Sequence, residues 1–164
     1  MLANEDEHRY YLVSTIQKFR KNIIQKTKLL YRWDKLNEVN IHRYIDNNSN
    51  ILLLIKTTKN TLLAAYSQSG FKEKVLSNQP GLLISLTNQQ IFKNTKKAVI
   101  YDEHEVIFGN YDLRVKAGDS KVTSNFGSIG SFYENRGNNV TILFEEGKNR
   151  EAKIKEMEIF SIWF

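Results

Sequence analysis

The 164-residue sequence has no cysteine, which excludes a disulfide framework, a thiolate metal site, an iron–sulfur cluster and a cysteine nucleophile. No apolar run approaches the roughly 18–20 residues that a membrane-spanning helix requires. No unit of 20–50 residues recurs, so solenoids and propellers are excluded. The three histidines, His8, His42 and His104, share no metal-ligand spacing. Gly127-Ser128-Ile129-Gly130 has the wrong spacing for a nucleophile elbow and is no phosphate loop. Glu103-His104-Glu105 reads as a solvated hairpin turn, and His8 and His42 read as surface or boundary residues. Glu145-Glu146 and Glu156/Glu158 are paired acids, but carboxylates need a shaped cleft before they act as an acid–base pair. The expectation is a protein with no catalytic residue, no cofactor and no metal. A hydrolase or peroxide-handling activity using the acidic residues is the rival reading.

What is present is basic and aromatic. There are 24 Lys+Arg against 18 Asp+Glu, a net charge of +6, with 41% apolar and 12% aromatic residues. A chain of this length is one domain's worth and buries roughly 70% of its unfolded surface. The aromatic content excludes a disordered chain, which lacks the surface to offset ordering entropy. Met1-Leu2-Ala3-Asn4-Glu5-Asp6-Glu7 is acidic and unlike a signal peptide, so an intracellular, cytoplasmic location is expected.

Along the chain, the spacing predicts an amphipathic helix from about Glu5 to Gln25. Asn4 would cap it, and Leu12, Ile16, Phe19 and Ile23 form its apolar stripe, widened by Val13 and Ile24. Lys18, Lys21, Gln25 and Lys28 fall on the opposite face of that wheel. Leu29-Leu30-Tyr31-Arg32-Trp33 suits a strand or docking segment, and Asn37 could cap a short helix through Ile45. Ile51–Ile55 and Thr61–Tyr66 read as a hairpin of buried strands. Further strands are expected at Gly81–Leu86, Ala98–Tyr101, Val106–Phe108, Leu113–Val115, Val140–Phe144 and from Ala152 to Phe164, with a long surface loop over Gly118–Gly130. Strand does not alternate with helix here, so a parallel sheet is excluded and a β-rich core with helical decoration follows.

Charge carries the functional signal. Seven basic residues and one acid, Asp34, lie between Lys18 and Lys35; a smaller basic group is Lys148, Arg150, Lys153 and Lys155. Such a surface attracts RNA, an anionic membrane or an acidic protein. No aromatic RNA-binding motif accompanies it, so a protein partner with an acidic surface is favoured over nucleic acid. Lys18, Lys21, Lys28 and Arg32 are the candidate partner-binding cations.

A collinear set of segments then becomes legible: Leu29-Leu30-Tyr31-Arg32, Ile41-His42-Arg43-Tyr44, Leu63-Ala64-Ala65-Tyr66, Gly81–Leu86, Phe108-Gly109-Asn110-Tyr111-Asp112-Leu113, Ser124-Asn125-Phe126-Gly127 with Tyr133, and Ile154-Lys155-Glu156-Met157-Glu158-Ile159-Phe160. This succession resembles the TLDc family, which carries a similar F-G-x-x-D-L element, an S-x-x-F-G…Y loop and a terminal E-x-E strand. The matching positions are Phe108, Gly109, Asp112, Leu113, Phe126, Gly127, Tyr133, Glu156, Glu158 and Phe160. The resemblance implies an α+β fold, a sandwich of two antiparallel sheets with helices around it. Residues 29–164 would form the domain and residues 1–28 a helical extension. It also implies a non-catalytic interaction module linked to oxidative-stress protection, with a vacuolar-type proton ATPase subunit as one partner. A filament or axonemal protein of a cytoskeletal or ciliary assembly is the alternative partner. Without cysteine, any protective role would work through a partner rather than by thiol chemistry. Two departures from the family pattern stand out: Ala64-Ala65 replaces paired glycines, and Ser67-Gln68-Ser69-Gly70-Phe71-Lys72 replaces a Trp-containing loop. Phe71 is on that account a candidate anchor for a partner. Gly109 is expected at a close approach, Asp112 and Glu158 as buried acids bonded to backbone amides, and Phe108, Tyr133 and Phe160 as core aromatics.

Overall fold

A computed structural model describes residues 6–33, 40–71, 80–94, 99–102, 104–109, 112–124, 133 and 151–164. Helix α1 (Asp6–Arg20) leads into β1 (Lys26–Arg32), a single-turn helix α2 (His42–Ile45), and then β2 (Ile51–Thr57), β3 (Leu62–Ser67), β4 (Gly81–Ser85) and β5 (Gln90–Lys93). After these come β6 (Val99–Asp102), β7 (Glu105–Phe108), β8 (Leu113–Lys116), β9 (Lys121–Thr123) and β10 (Glu151–Trp163). All pairings are antiparallel, in the order β5-β4-β3-β2-β10-β9-β8-β7-β6, with β1 also bonded to β10.

Strand β10 ties the pairing together. Glu151–Lys153 bond to β9, whereas Ile154–Ser161 bond to β2 and Glu158–Trp163 to β1. The register shifts between Ile154 and Glu156. A one-residue slip moves a strand's side chains to the opposite face, so Ile154 joins Met157 and Ile159 on the same core. That core draws Leu53, Ile55, Leu63, Ala65, Leu83 and Phe92 from β2–β5 together with Val106, Phe108, Leu113, Val115 and Val122 from β7–β9. A second apolar layer covers the opposite face of β2–β4: Leu52, Leu54, Ala64, Tyr66, Leu82, Ile84, Phe160 and Ile162 meet Leu12 and Ile16 of α1. Burying each of these two helix side chains contributes about 2 kcal/mol. The alanines at 64 and 65 divide their work, one facing each layer.

The helix is shorter than its periodicity predicts. Lys21 takes a left-handed conformation (φ 53°), and the Asn22 amide donates to the Gln17 carbonyl at 3.3 Å, which is the chain reversal that ends many helices, usually on glycine. Ile23 consequently leaves the apolar stripe and is 71% exposed. Lys28 lies on a strand instead of a helix face. Two further corrections concern strands. The stretch read as one long loop after Gly118 contains β9, reached by a tight turn with Ser120 at φ 54°, and β5 follows the turn Leu86–Gln89, where no strand was expected. The expected Val140–Phe144 strand and the proposed caps Asn4 and Asn37 lie outside the described residues.

Candidate functional site

The family-type turn is a packing device. Gly109 joins β7 to the Asp112–Leu113 segment with φ 64°, and a Cβ there would strike the Asp112 carboxylate and come within 3.0 Å of the Tyr133 ring. Asp112 and Tyr133 are both fully buried. The Ser124 hydroxyl donates to the Asp112 carbonyl at 2.8 Å, tying the start of β8 to the end of β9. Burial, with the adjacent Asp112 charge, holds the Tyr133 phenol well above its ordinary range. Phe108 and Leu113 complete this corner of the core, while Phe126 and Gly127 lie outside the described residues.

Phe71 is not a surface anchor. It is 1% exposed and meets Phe108 edge-to-face at 5.4 Å. Gly70 makes this possible: a Cβ at that position would collide with the Asn48 carbonyl, so only glycine lets the loop press onto the turn after α2 and drop Phe71 inward. His42 is also interior, at 6% exposure; its Nε2–H donates to the Glu105 carbonyl at 3.1 Å, and its Nδ1 lies 2.7 Å from Asp46 Oδ1. Glu105, expected in a solvated turn, is instead a buried strand residue held by Arg114 (Nη2–Oε1 2.6 Å) and Lys116 (3.3 Å).

The two terminal acids part company. Glu156 is exposed opposite Lys56, whereas the Glu158 side chain is 4% exposed and accepts from Arg32 Nη2 at 2.7 Å. A guanidinium is thus among the partners of the buried Glu158. Phe160 packs beneath α1 with the second apolar layer.

The basic residues divide into two groups. Lys18, near the end of α1, lines a cleft with Lys93 of β5. Lys26, Lys28 and Arg32 lie on β1, five strand positions away across the sheet, a separation of roughly 24 Å at the usual strand spacing. One continuous basic helix face is therefore replaced by two separate surfaces, with Lys21 at the turn leading out of α1.

Of the two, β1 has the properties of a docking edge. Its strand partner among the described residues is β10 alone, on one side. Four of its first five residues are exposed except for the half-buried Leu30. Leu29 and the neighbouring Trp163 are 41% and 42% exposed. Lys26 stands opposite Trp163 with its ammonium 6.0 Å from the indole ring, and Lys28 stands opposite Ser161. Neither lysine has a carboxylate partner among the described residues. Lys26, counted in the basic cluster but not among the candidate cations, and Trp163 are further members of this surface; the period-two spacing of Lys26 and Lys28 was the available signal.

An antiparallel β domain stapled by a buried Phe-Gly-Asp turn, with a basic border strand, defines a class of binding scaffold. The chain belongs to the TLDc domain family, whose model matches residues 4–163. These are domains of protein–protein interaction. No curated protein matches the chain.

Proposed function

We propose that this protein is a non-catalytic TLDc module that binds an acidic protein segment along β1. The observation that carries the reading is the strand border at β1, where Lys26 and Lys28 stand without acidic partners among the described residues, beside exposed Leu29 and Trp163. An extended chain laid on that edge gains main-chain hydrogen bonds, and side-chain complementarity selects it. Lysines steer an acidic approach, while the apolar pair provides area to bury. In this reading the shared core lies between two facing sheets of a sandwich, which fixes β1 rigidly at one border. A role in oxidative-stress protection would pass through the bound partner, either a vacuolar-type proton ATPase subunit or a filament protein of a cytoskeletal or ciliary assembly in the cytoplasm.

The test is binding of the full chain and its Lys26→Glu/Lys28→Glu form to purified proton ATPase and, separately, to microtubules. Salt-sensitive binding to one of them that the charge reversal abolishes supports the reading and names the partner. Binding indifferent to the reversal places the contact elsewhere and overturns the edge as the site.

A further inference from the structure

A cleft of about 280 Å³ lies between α1 and the β4–β5 border, independent of the β1 edge. Its helical wall comes from one face of α1, with Tyr11, Thr15, Lys18 and Phe19 at successive turns; its sheet wall is Leu82, Ile91 and Lys93. Outside the cleft the Gln89 side-chain amide donates to Glu7 Oε1 at 2.9 Å, whereas Lys18 and Lys93 both line it. The two lysines have no carboxylate partner among the described residues. From the level of Tyr11 to that of Lys18 the helix rises about 10 Å. Apolar lining that includes the 37% exposed Ile91 is thus joined by two positive charges that no described carboxylate compensates.

The geometry points to a binding site for a small amphiphilic carboxylate, a medium-chain alkanoate, with its headgroup between Lys18 and Lys93 and its tail leading past Ile91 toward Tyr11. A mostly apolar cleft with few polar groups at one end is the usual form of a small-ligand site, and a carboxylate between two ammonium groups makes charge-assisted hydrogen bonds. The lysine pair sets the orientation, since the other lining residues carry no charge. The tail fits beside the helix without displacing the second apolar layer, because Leu12 and Ile16 face away from the cleft into it.

The probe is decanoate, kept monomeric and titrated into the isotope-labelled full chain while amide resonances are followed. Saturable shifts centred on Lys18, Phe19, Ile91 and Lys93 are expected. Lys18→Gln and Lys93→Gln should each weaken binding about tenfold, the scale of one charge-assisted contact. Ile91→Trp, at a partly exposed position that tolerates a larger ring, should fill the cleft and remove saturation. Decyltrimethylammonium should not produce the same pattern. The site is refuted if decanoate shifts other residues or none, if the cationic analogue binds equally, or if both lysine variants bind like the parent. It is also refuted if anionic phosphatidylserine vesicles bind through these lysines while monomeric decanoate does not, because the charges then serve a membrane surface.

Discussion

Arg32 reaches across the β1–β10 ladder to Glu158, with Nη2 and Nε at 2.7 and 3.0 Å from the same carboxylate oxygen. The arginine side chain is 64% exposed and the glutamate 4%, so a surface cation covers an interior anion. Arg32 therefore stabilises the edge it occupies, and its removal affects folding as well as binding. Arg32→Ala should destabilise the domain by about 1–2 kcal/mol, less than a wholly buried pair would lose because water can reach the site. Denaturant unfolding of Arg32→Ala, Glu158→Gln and the double variant checks this; a double variant no better than the sum of the singles would mean that the two are uncoupled.

Lys26 and Lys28 make the cleaner binding probes, as neither holds a buried charge. Their reversal to glutamate should leave stability within about 0.5 kcal/mol and slow association with an acidic partner more than it speeds dissociation. Stopped-flow kinetics at two ionic strengths separates these effects.

Lys21 occupies a conformation that suits glycine. Lys21→Gly should raise stability by about 0.5–1 kcal/mol, since the native φ is left-handed and the reversal is otherwise intact. A fall in melting temperature would show that the lysine side chain holds the turn by some other means.

Gly109→Ala should be among the most damaging single substitutions. It combines a left-handed backbone with collision against the buried Asp112 carboxylate and the Tyr133 ring, and a loss of about 3 kcal/mol or more is expected. Equilibrium unfolding measures it directly.

Alkaline stability should fall in a defined window. Burial pushes Tyr66 up to about 12, with the nearby Arg20 charge opposing the shift, and holds Tyr133 well above its ordinary range. Below pH 10 the native and unfolded states keep these phenolic protons equally. Above it the unfolded chain loses them first, so stability declines from pH 10 upward by up to about 1.4 kcal/mol per pH unit for each tyrosine. The Tyr66 share levels off near pH 12, and Tyr66→Phe should remove that share from a stability–pH curve.

Much of the fold was legible because burial leaves period-two and unbroken apolar patterns, as in Ile51–Ile55 and Leu113–Val115. The boundaries of α1 were not, because the stripe continues through Ile23 and Ile24 while the stop depends on Lys21 accepting a conformation that no residue type there announces. Short β5 and β9 carry only two apolar residues and one, respectively, between polar ones and become strands through their neighbours. The ion-paired interior acids Glu105 and Glu158 were legible as acids only; their partners, Arg114 with Lys116 and Arg32, arrive by cross-strand register. Phe71 looked like a loop anchor until Gly70 was seen to let it inward. The basic cluster was visible as a count, but its division between cleft and edge depends on where a helix ends.

The most direct measurement of the docking account uses a short extended peptide alternating glutamate with valine, titrated into the labelled full chain beside the same peptide N-methylated at alternate amides. The account predicts salt-dependent shifts along residues 26–32 and at Trp163 with the first peptide, abolished by Lys26→Glu/Lys28→Glu and by N-methylation on the strand-facing side. Equal binding of both peptides, or shifts that avoid β1, would contradict it.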